Sequence, residues 1–314
     1  MAVETRPSFL EQLQHQWNQG KFVCVGLDAD LDKLPPHLKK PNGYERPRLF
    51  AQFRFLEALV DATHDLVCAY KPNIAFFEDH PEGEEALAYT VDHIHSRYPE
   101  IPVIGDVKRA DIGNTNTGYA KLFKRYGFDA MTTNPYFGGD TFAPFQAFEG
   151  KGLVVLCRTT NPGSKELQDM PIDYKIALDQ QLLTREEHDE LDALKDDLRS
   201  ARTIKLYELV AFLAARRWNT NGQLGLVVGA TTPEAFAPVR RLAPNIPFLI
   251  PGIGTQGGDL EKTLQYAPDS HHQGIIVNSA SAIIFASSGE DFAEVARVKT
   301  IALDRQIREG LQIA

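Results

Sequence analysis

The 314-residue chain has only three cysteines, Cys24, Cys68 and Cys157, each inside an apolar run and without paired or clustered spacing. That pattern excludes a disulfide framework and a cysteine-based zinc site. Such thiols read as small buried hydrophobes in a reducing compartment. No run of about 18 apolar residues occurs, so no transmembrane helix is expected. The opening Met1-Ala2-Val3-Glu4-Thr5-Arg6 lacks an apolar signal core, which places the expected location in the cytoplasm. Positive charge is in the minority: 33 Lys and Arg against 42 Asp and Glu give a formal charge of −9. An acidic exterior argues against nucleic acid or an anionic membrane as partner, yet leaves room for a small anionic substrate in a local basic pocket. Internal repeats, low-complexity tracts, metal-ligand spacings and a Ser-His-Asp relay are all missing as well, so no metal is expected.

What the chain does have is eight short apolar runs, at 22–27, 66–70, 102–107, 130–133, 153–157, 224–228, 248–250 and 274–277. They are continuous rather than alternating, as in strands buried on both faces of a parallel sheet. Helical spacing fills the gaps at 48–64, 84–97, 114–126, 204–218, 233–242 and 290–307. In the first of these, Phe50, Phe53, Leu56, Leu59 and Val60 recur every three or four residues. Thr231-Thr232-Pro233 reads as a capped helix start with proline in its first turn. Eight strand–helix alternations favour an α/β fold of the (β/α)8 TIM-barrel type, residues 1–314 forming a single domain. A charged segment at about 164–203 exceeds the minimal barrel and falls between the fifth and sixth strands. It reads either as a lid over a substrate or as a solvated helical insertion.

Polar residues gather at the predicted strand ends. Asp28 follows the first strand, Lys71 the second, Asp106 and Lys108 end the third, and Asn134 follows the fourth. Thr159-Thr160-Asn161 follows the fifth, and Pro251-Gly252-Ile253-Gly254-Thr255-Gln256-Gly257-Gly258 the seventh. In a barrel these ends meet at one mouth. The densest cluster is Gly105-Asp106-Val107-Lys108-Arg109-Ala110-Asp111-Ile112-Gly113-Asn114-Thr115. Period-two alternation sends Asp106 and Lys108 to the same side of a strand. A lysine flanked by acids is held protonated, which suits proton donation better than nucleophilic attack. The glycine segment formally satisfies Gly-x-Gly-x-x-Gly, but it lies too late in the chain for a dinucleotide fold. It suits a phosphate-binding loop or a plain tight turn. Taken alone, Asp28 reads equally as a turn cap and Lys71 as a loop lysine. His93 and His95 read as helix-surface residues, and His271-His272 lie at the far end of the barrel.

Asp106-x-Lys108-x-x-Asp111-Ile112-Gly113-x-Thr115 resembles the signature of the orotidine 5′-phosphate decarboxylases. Gly26-Leu27-Asp28, Tyr70-Lys71-Pro72-Asn73, Asn134-Pro135-Tyr136, Thr160-Asn161-Pro162-Gly163 and the glycine segment occur in that family's order. The longer bacterial branch is most similar. The resemblance implies cofactor-free decarboxylation of orotidylate to UMP, the last step of pyrimidine synthesis, in a homodimer with shared active sites. It implies Lys108 as proton donor to C6, and Asp106 beside the departing carboxylate, with Asp111 helping to orient the lysine. Asp111 and Thr115 would enter the neighbouring subunit's site. Asp28 and Lys71 would bind ribose hydroxyls, Thr160 the pyrimidine edge and Gln256 the phosphate.

One departure stands out. Where the family carries an arginine for the phosphate, this chain reads Val277-Asn278-Ser279-Ala280-Ser281, with Ser281 at the arginine position. Replacing a bidentate cation with a hydroxyl weakens phosphate binding unless another basic residue, such as Arg158, compensates. The rival readings are a sugar-phosphate decarboxylase or aldolase of the same barrel group, and a non-catalytic nucleotide-binding barrel.

Overall fold

The computed structural model describes residues 6–39, 45–194 and 203–313. Ten strands form in chain order: β1 Val23–Gly26, β2 Val67–Lys71, β3 Ile104–Arg109, β4 Ala130–Thr133, β5 Gly152–Arg158, β6 Pro171–Asp173, β7 Thr203–Lys205, β8 Leu224–Val228, β9 Phe248–Ile250 and β10 Ile275–Ser279. Eight of them make one parallel sheet in the order β2-β1-β10-β9-β8-β5-β4-β3. The two edges of that sheet meet through parallel bridges Tyr70↔Val103 and Asn73↔Asp106. Backbone bonds from Tyr70 N–H to Pro102 O (3.1 Å) and from Asp106 N–H to Pro72 O (2.9 Å) complete the junction. The expected TIM barrel is therefore present, and all eight predicted runs supply its strands. Continuous burial explains the non-alternating sequence, because one strand face fills the barrel and the other packs under helices.

Helices differ from expectation mainly where long-range pairing intervenes. The 114–126 helix breaks at Lys121 into Gly113–Ala120 and Leu122–Tyr126. The predicted 204–218 helix starts late, at Leu206, because β7 pairs antiparallel with β6, and it ends in a π-helical turn, Ala214–Trp218. Thr232 precedes Pro233 as expected but makes no side-chain capping bond. Within the charged 164–203 segment, helices Tyr174–Asp179 and Arg185–Ala193 form, while residues 195–202 lie outside the described residues. Glu190 and Glu187 pair with Arg216 and Arg217, docking the segment on the barrel's outer wall.

A helix outside the predicted segments, Phe9–Asn18, closes the amino end of the barrel. Its signal was a Ser8-x-x-Glu11 capping box ahead of Phe9, Leu13 and Trp17, all buried. Trp17 Nε1–H donates to Ile275 O at 2.9 Å, and Phe9 N–H to Gly150 O at 2.8 Å. At the same end Asp129, 1% exposed, gathers four donors: Val103 N–H (2.9 Å), Arg6 (3.2 Å), His95 (3.0 Å) and Lys151 (3.3 Å). His95 is thus a structural partner rather than a free surface residue, and His93 likewise meets Asp61 at 2.7 Å. Burial alone would raise the Asp129 pKa, but the bond and charge of His95, with the charges of Arg6 and Lys151, bring it down to about 2. A depressed carboxylate contributes stability at pH values above its unfolded pKa of about 4 and loses it as pH falls toward 2. Asp129→Asn is accordingly expected to lower unfolding free energy at pH 7 by about 2–3 kcal/mol and to flatten the acid limb between about pH 4 and 2. Denaturant titrations across that range check both effects.

Candidate active site

The carboxyl ends of the barrel strands surround a cavity of about 380 Å³. Its floor is apolar, with Leu156, Val227, Leu249 and Ile253, so charges set into its walls interact through little water. Asp106 and Lys71, 9% and 5% exposed, form the buried centre. Lys71 Nζ donates to Asp106 Oδ2 at 3.0 Å and stands 3.9 Å from Asp28 Oδ1. Lys108 Nζ donates to the other oxygen, Asp106 Oδ1, at 2.5 Å. One carboxylate thus holds two ammonium groups, and with Asp28 the four charges balance.

The pairing of Asp106 with Lys108 follows the sequence expectation, but a straight strand does not produce it. Lys108 adopts φ of +46°, in the left-handed region, and the β3–β4 register shifts between Gly105 and Arg109. The released Lys108 N–H donates to Thr132 Oγ1 at 2.9 Å, and that hydroxyl donates in turn to Asp106 Oδ1 at 2.9 Å. A non-glycine residue held in this backbone region is strained, and strain of this kind collects where structure positions a functional group. Thr132 escaped the sequence reading. Its only sequence trace is its place two residues before Asn134, on the strand beside the charged motif.

Electrostatics reinforce the geometry. Burial would push the Asp106 carboxyl up, but the charges of Lys71 and Lys108 outweigh it and hold it well below the usual carboxylate range. For Lys71, burial opposes the charged form, while Asp106 and Asp28 overcome it and raise the ammonium above its ordinary value. Both groups therefore stay ionised across the neutral range. Asp28 Oδ1 and Asn278 Oδ1 are buried in the same wall without a hydrogen-bond donor, which suits ligand hydroxyls.

Thr160 and Gln256 line the cavity with Asp28, Lys71, Asp106 and Lys108, as do Thr255 and Ser281. Thr255 Oγ and Ser281 Oγ lie 3.1 Å apart. Gly252 and Gly254 have φ of +100° and +99°, which side-chain-bearing residues rarely adopt, so the loop's fold depends on them. Asp111 and Thr115 are not brought into this cavity: Asp111 Oδ1 accepts from Ile112 N–H at 2.7 Å, and Thr115 is exposed. Arg158 does not compensate for Ser281. It is fully buried, bonding Ser164, Gln168 (3.2 Å) and Thr159 O (3.2 Å) and pairing with Asp169 (3.3 Å). From this side the wall is made by Thr159 and Thr160, and the described part of the 164–203 segment lines none of it. Among the described residues no three His, Cys, Asp or Glu side chains converge as a metal site, and no helix is long and apolar enough to cross a membrane.

Comparison with known proteins places the family. The model of the orotidine 5′-phosphate decarboxylase / HUMPS family matches residues 21–294. Orotidine 5′-phosphate decarboxylase of Cellvibrio japonicus is 40% identical over 302 residues, covering 96% of this chain and 98% of its own. The protein of the same name from Cupriavidus metallidurans is 42% identical over 292 residues, covering 92% and 94%. Among solved structures, OMP decarboxylase of Leishmania donovani superposes with a TM-score of 0.73 at 31% identity, over 98% of this chain and 100% of that one.

Proposed function

The chain belongs to the orotidine 5′-phosphate decarboxylase family and is a carbon–carbon lyase converting orotidine 5′-phosphate to UMP in pyrimidine synthesis; within that reaction we propose that Lys108 donates the proton that replaces the carboxylate. The carrying observation is the 2.5 Å contact between Lys108 Nζ and Asp106 Oδ1, both of which line the cavity. As the C6–carboxylate bond breaks, its electron pair stays on C6, carbon dioxide leaves, and the Lys108 ammonium supplies the proton. The resulting amine recovers a proton from solvent. No good electron sink exists on the ring, so a cation fixed beside C6 gains most as negative charge develops there. Asp106 keeps that cation aimed, and Lys71 and Thr132 keep Asp106 aimed. In this reading Asp28 and Lys71 face the ribose, Thr160 the pyrimidine edge, and Gln256 with the glycine loop the phosphate. In the same reading Lys71 serves two partners, the ribose and Asp106, to which it donates at 3.0 Å.

The active form in this reading is a homodimer with shared sites. Asp111 and Thr115 lie outside the cavity of their own chain, beside Ile112, which is 63% exposed. On the loop after the next strand, Tyr136, 81% exposed, and Phe137 are also exposed apolar side chains. The three buried free thiols fit a reducing cytoplasm.

Mixing two inactive variants tests the shared site. Refolding Lys108→Ala with Asp111→Ala at equal amounts is expected to restore about a quarter of parental turnover, because each mixed dimer keeps one undamaged site. Activity is followed by the ultraviolet change as orotidylate is consumed. A mixture as inactive as either variant alone overturns the arrangement.

A further inference from the structure

Counting charges around the cavity leaves one cation, Lys33, outside the Asp106 cluster, paired only with Asp30. Lys71 and Lys108 both bond Asp106, and with Asp28 that cluster is neutral before substrate arrives. The glycine-loop end offers Thr255, Gln256 and Ser281, donors without charge. A phosphate dianion placed there meets no positive charge from these residues. Among the described residues lining the cavity, the remaining cation is Lys33, on the loop after β1.

Its position suits that end. The Lys33 ammonium lies 5.8 Å from the centroid of the Phe285 ring, and Phe285 N–H donates to Ser281 O at 3.2 Å. Lys33 thus leans across the mouth toward the turn that carries Ser281. Its ion-pair partner is Asp30, three residues earlier, at 2.9 Å, with the two side chains 61% and 28% exposed. A solvent-screened pair of this kind contributes about 0–1 kcal/mol, so exchanging Asp30 for a doubly charged phosphate costs little. The short helical turn Leu31–Lys33, capped by Asp30, fixes the lysine's root while its stem stays free to swing.

We propose that Lys33 is the cation that meets the substrate's 5′-phosphate in this chain, leaving Asp30 to do so. The inference rests on the assignment of the glycine loop and Gln256 to the phosphate. Lys33 then supplies the charge that Ser281 does not, and the phosphate draws the loop after β1 against the loop after β9, narrowing the mouth. Binding energy gathered so far from the reacting carbon helps align the ring over Lys108.

The test compares UMP with uridine, which differ only in the phosphate. For the intact protein, UMP is expected to bind far more tightly than uridine, by calorimetry for UMP and by NMR titration for the weaker nucleoside. Lys33→Gln is expected to weaken UMP by about ten- to a hundredfold, the range for a hydrogen bond to a charged group. Uridine affinity stays within about twofold, Lys33→Arg retains most of the UMP affinity, and Ser281→Arg added to Lys33→Gln restores it. Gln256→Ala serves as the independent marker of phosphate placement, weakening UMP alone. If Gln256→Ala affects UMP and uridine equally, the phosphate assignment fails. If Gln256→Ala discriminates while Lys33→Gln binds UMP as the parent does, the role of Lys33 is overturned by itself.

Discussion

Lys108→Ala is expected to abolish decarboxylation, lowering kcat/KM by about 10⁴-fold or more. A positioned general acid contributes about 10²–10⁴-fold, and a fixed charge at the site of developing anion adds further stabilisation. The loss has two parts, because alanine removes both the proton and the cation that offsets charge on C6. It is not a folding effect: the Lys108 side chain is 49% exposed and its backbone anchor to Thr132 needs no side chain. Alanine does leave the strained φ of +46° in place, so a small stability change accompanies the kinetic one. Orotidylate turnover and UMP binding, measured on the same preparation, separate the outcomes. Turnover near the parental rate, with UMP bound normally, would remove Lys108 from the mechanism.

Asp106→Asn is expected to damage the enzyme twice, in turnover by about 10²–10⁴-fold and in stability by about 3–5 kcal/mol. Two ammonium groups now share one carboxylate; without it they repel each other, and Lys71, 5% exposed, is left with Asp28 at 3.9 Å. The pH dependence separates this from ordinary packing loss. The depressed Asp106 stabilises the fold above its unfolded pKa of about 4, and this contribution fades as pH falls through its still lower folded value. The raised Lys71 contributes fully below its unfolded pKa of about 10.4 and fades as pH rises through its higher folded value. Between those limits the cluster is constant, so the stability gap between parent and variant should form a plateau from about pH 5 to 10. A denaturation midpoint for Asp106→Asn equal to the parent's at pH 7 would mean that the ion cluster contributes nothing.

Much of this was legible in the chain. Runs such as Leu224–Val228 and Ala130–Thr133 coincide with strands residue for residue, because burial on both faces demands unbroken apolar sequence. The motif from Asp106 to Thr115 identified the family because its spacing is local. Thr132 was missed for the opposite reason: a threonine within an apolar run carries no mark of function until the neighbouring strand is set beside it. Arg158 misled in the same way. A basic residue at a strand end looks available for a ligand, and only packing reveals that Ser164, Gln168 and Asp169 already occupy it.

From sequence alone come the eight-strand barrel, the family, the motif that holds Lys108 and the reading of Ser281 at the family's arginine position. All are patterns of type and spacing along one dimension, and hydrophobic burial or local chemistry writes them directly. Tertiary structure decided which charges touch. Lys71 and Asp106 are 35 residues apart in sequence, Thr132 and Asp106 are 26 apart, and their contacts exist only because the β2 and β3 edges meet and β3 bulges at Lys108. Whether a cation is locked by buried partners or held only by a screened local pair, as Lys33 is by Asp30, is a property of the closed barrel. That is why Lys33 stands out only once Asp106, Asp169 and their partners have taken the others.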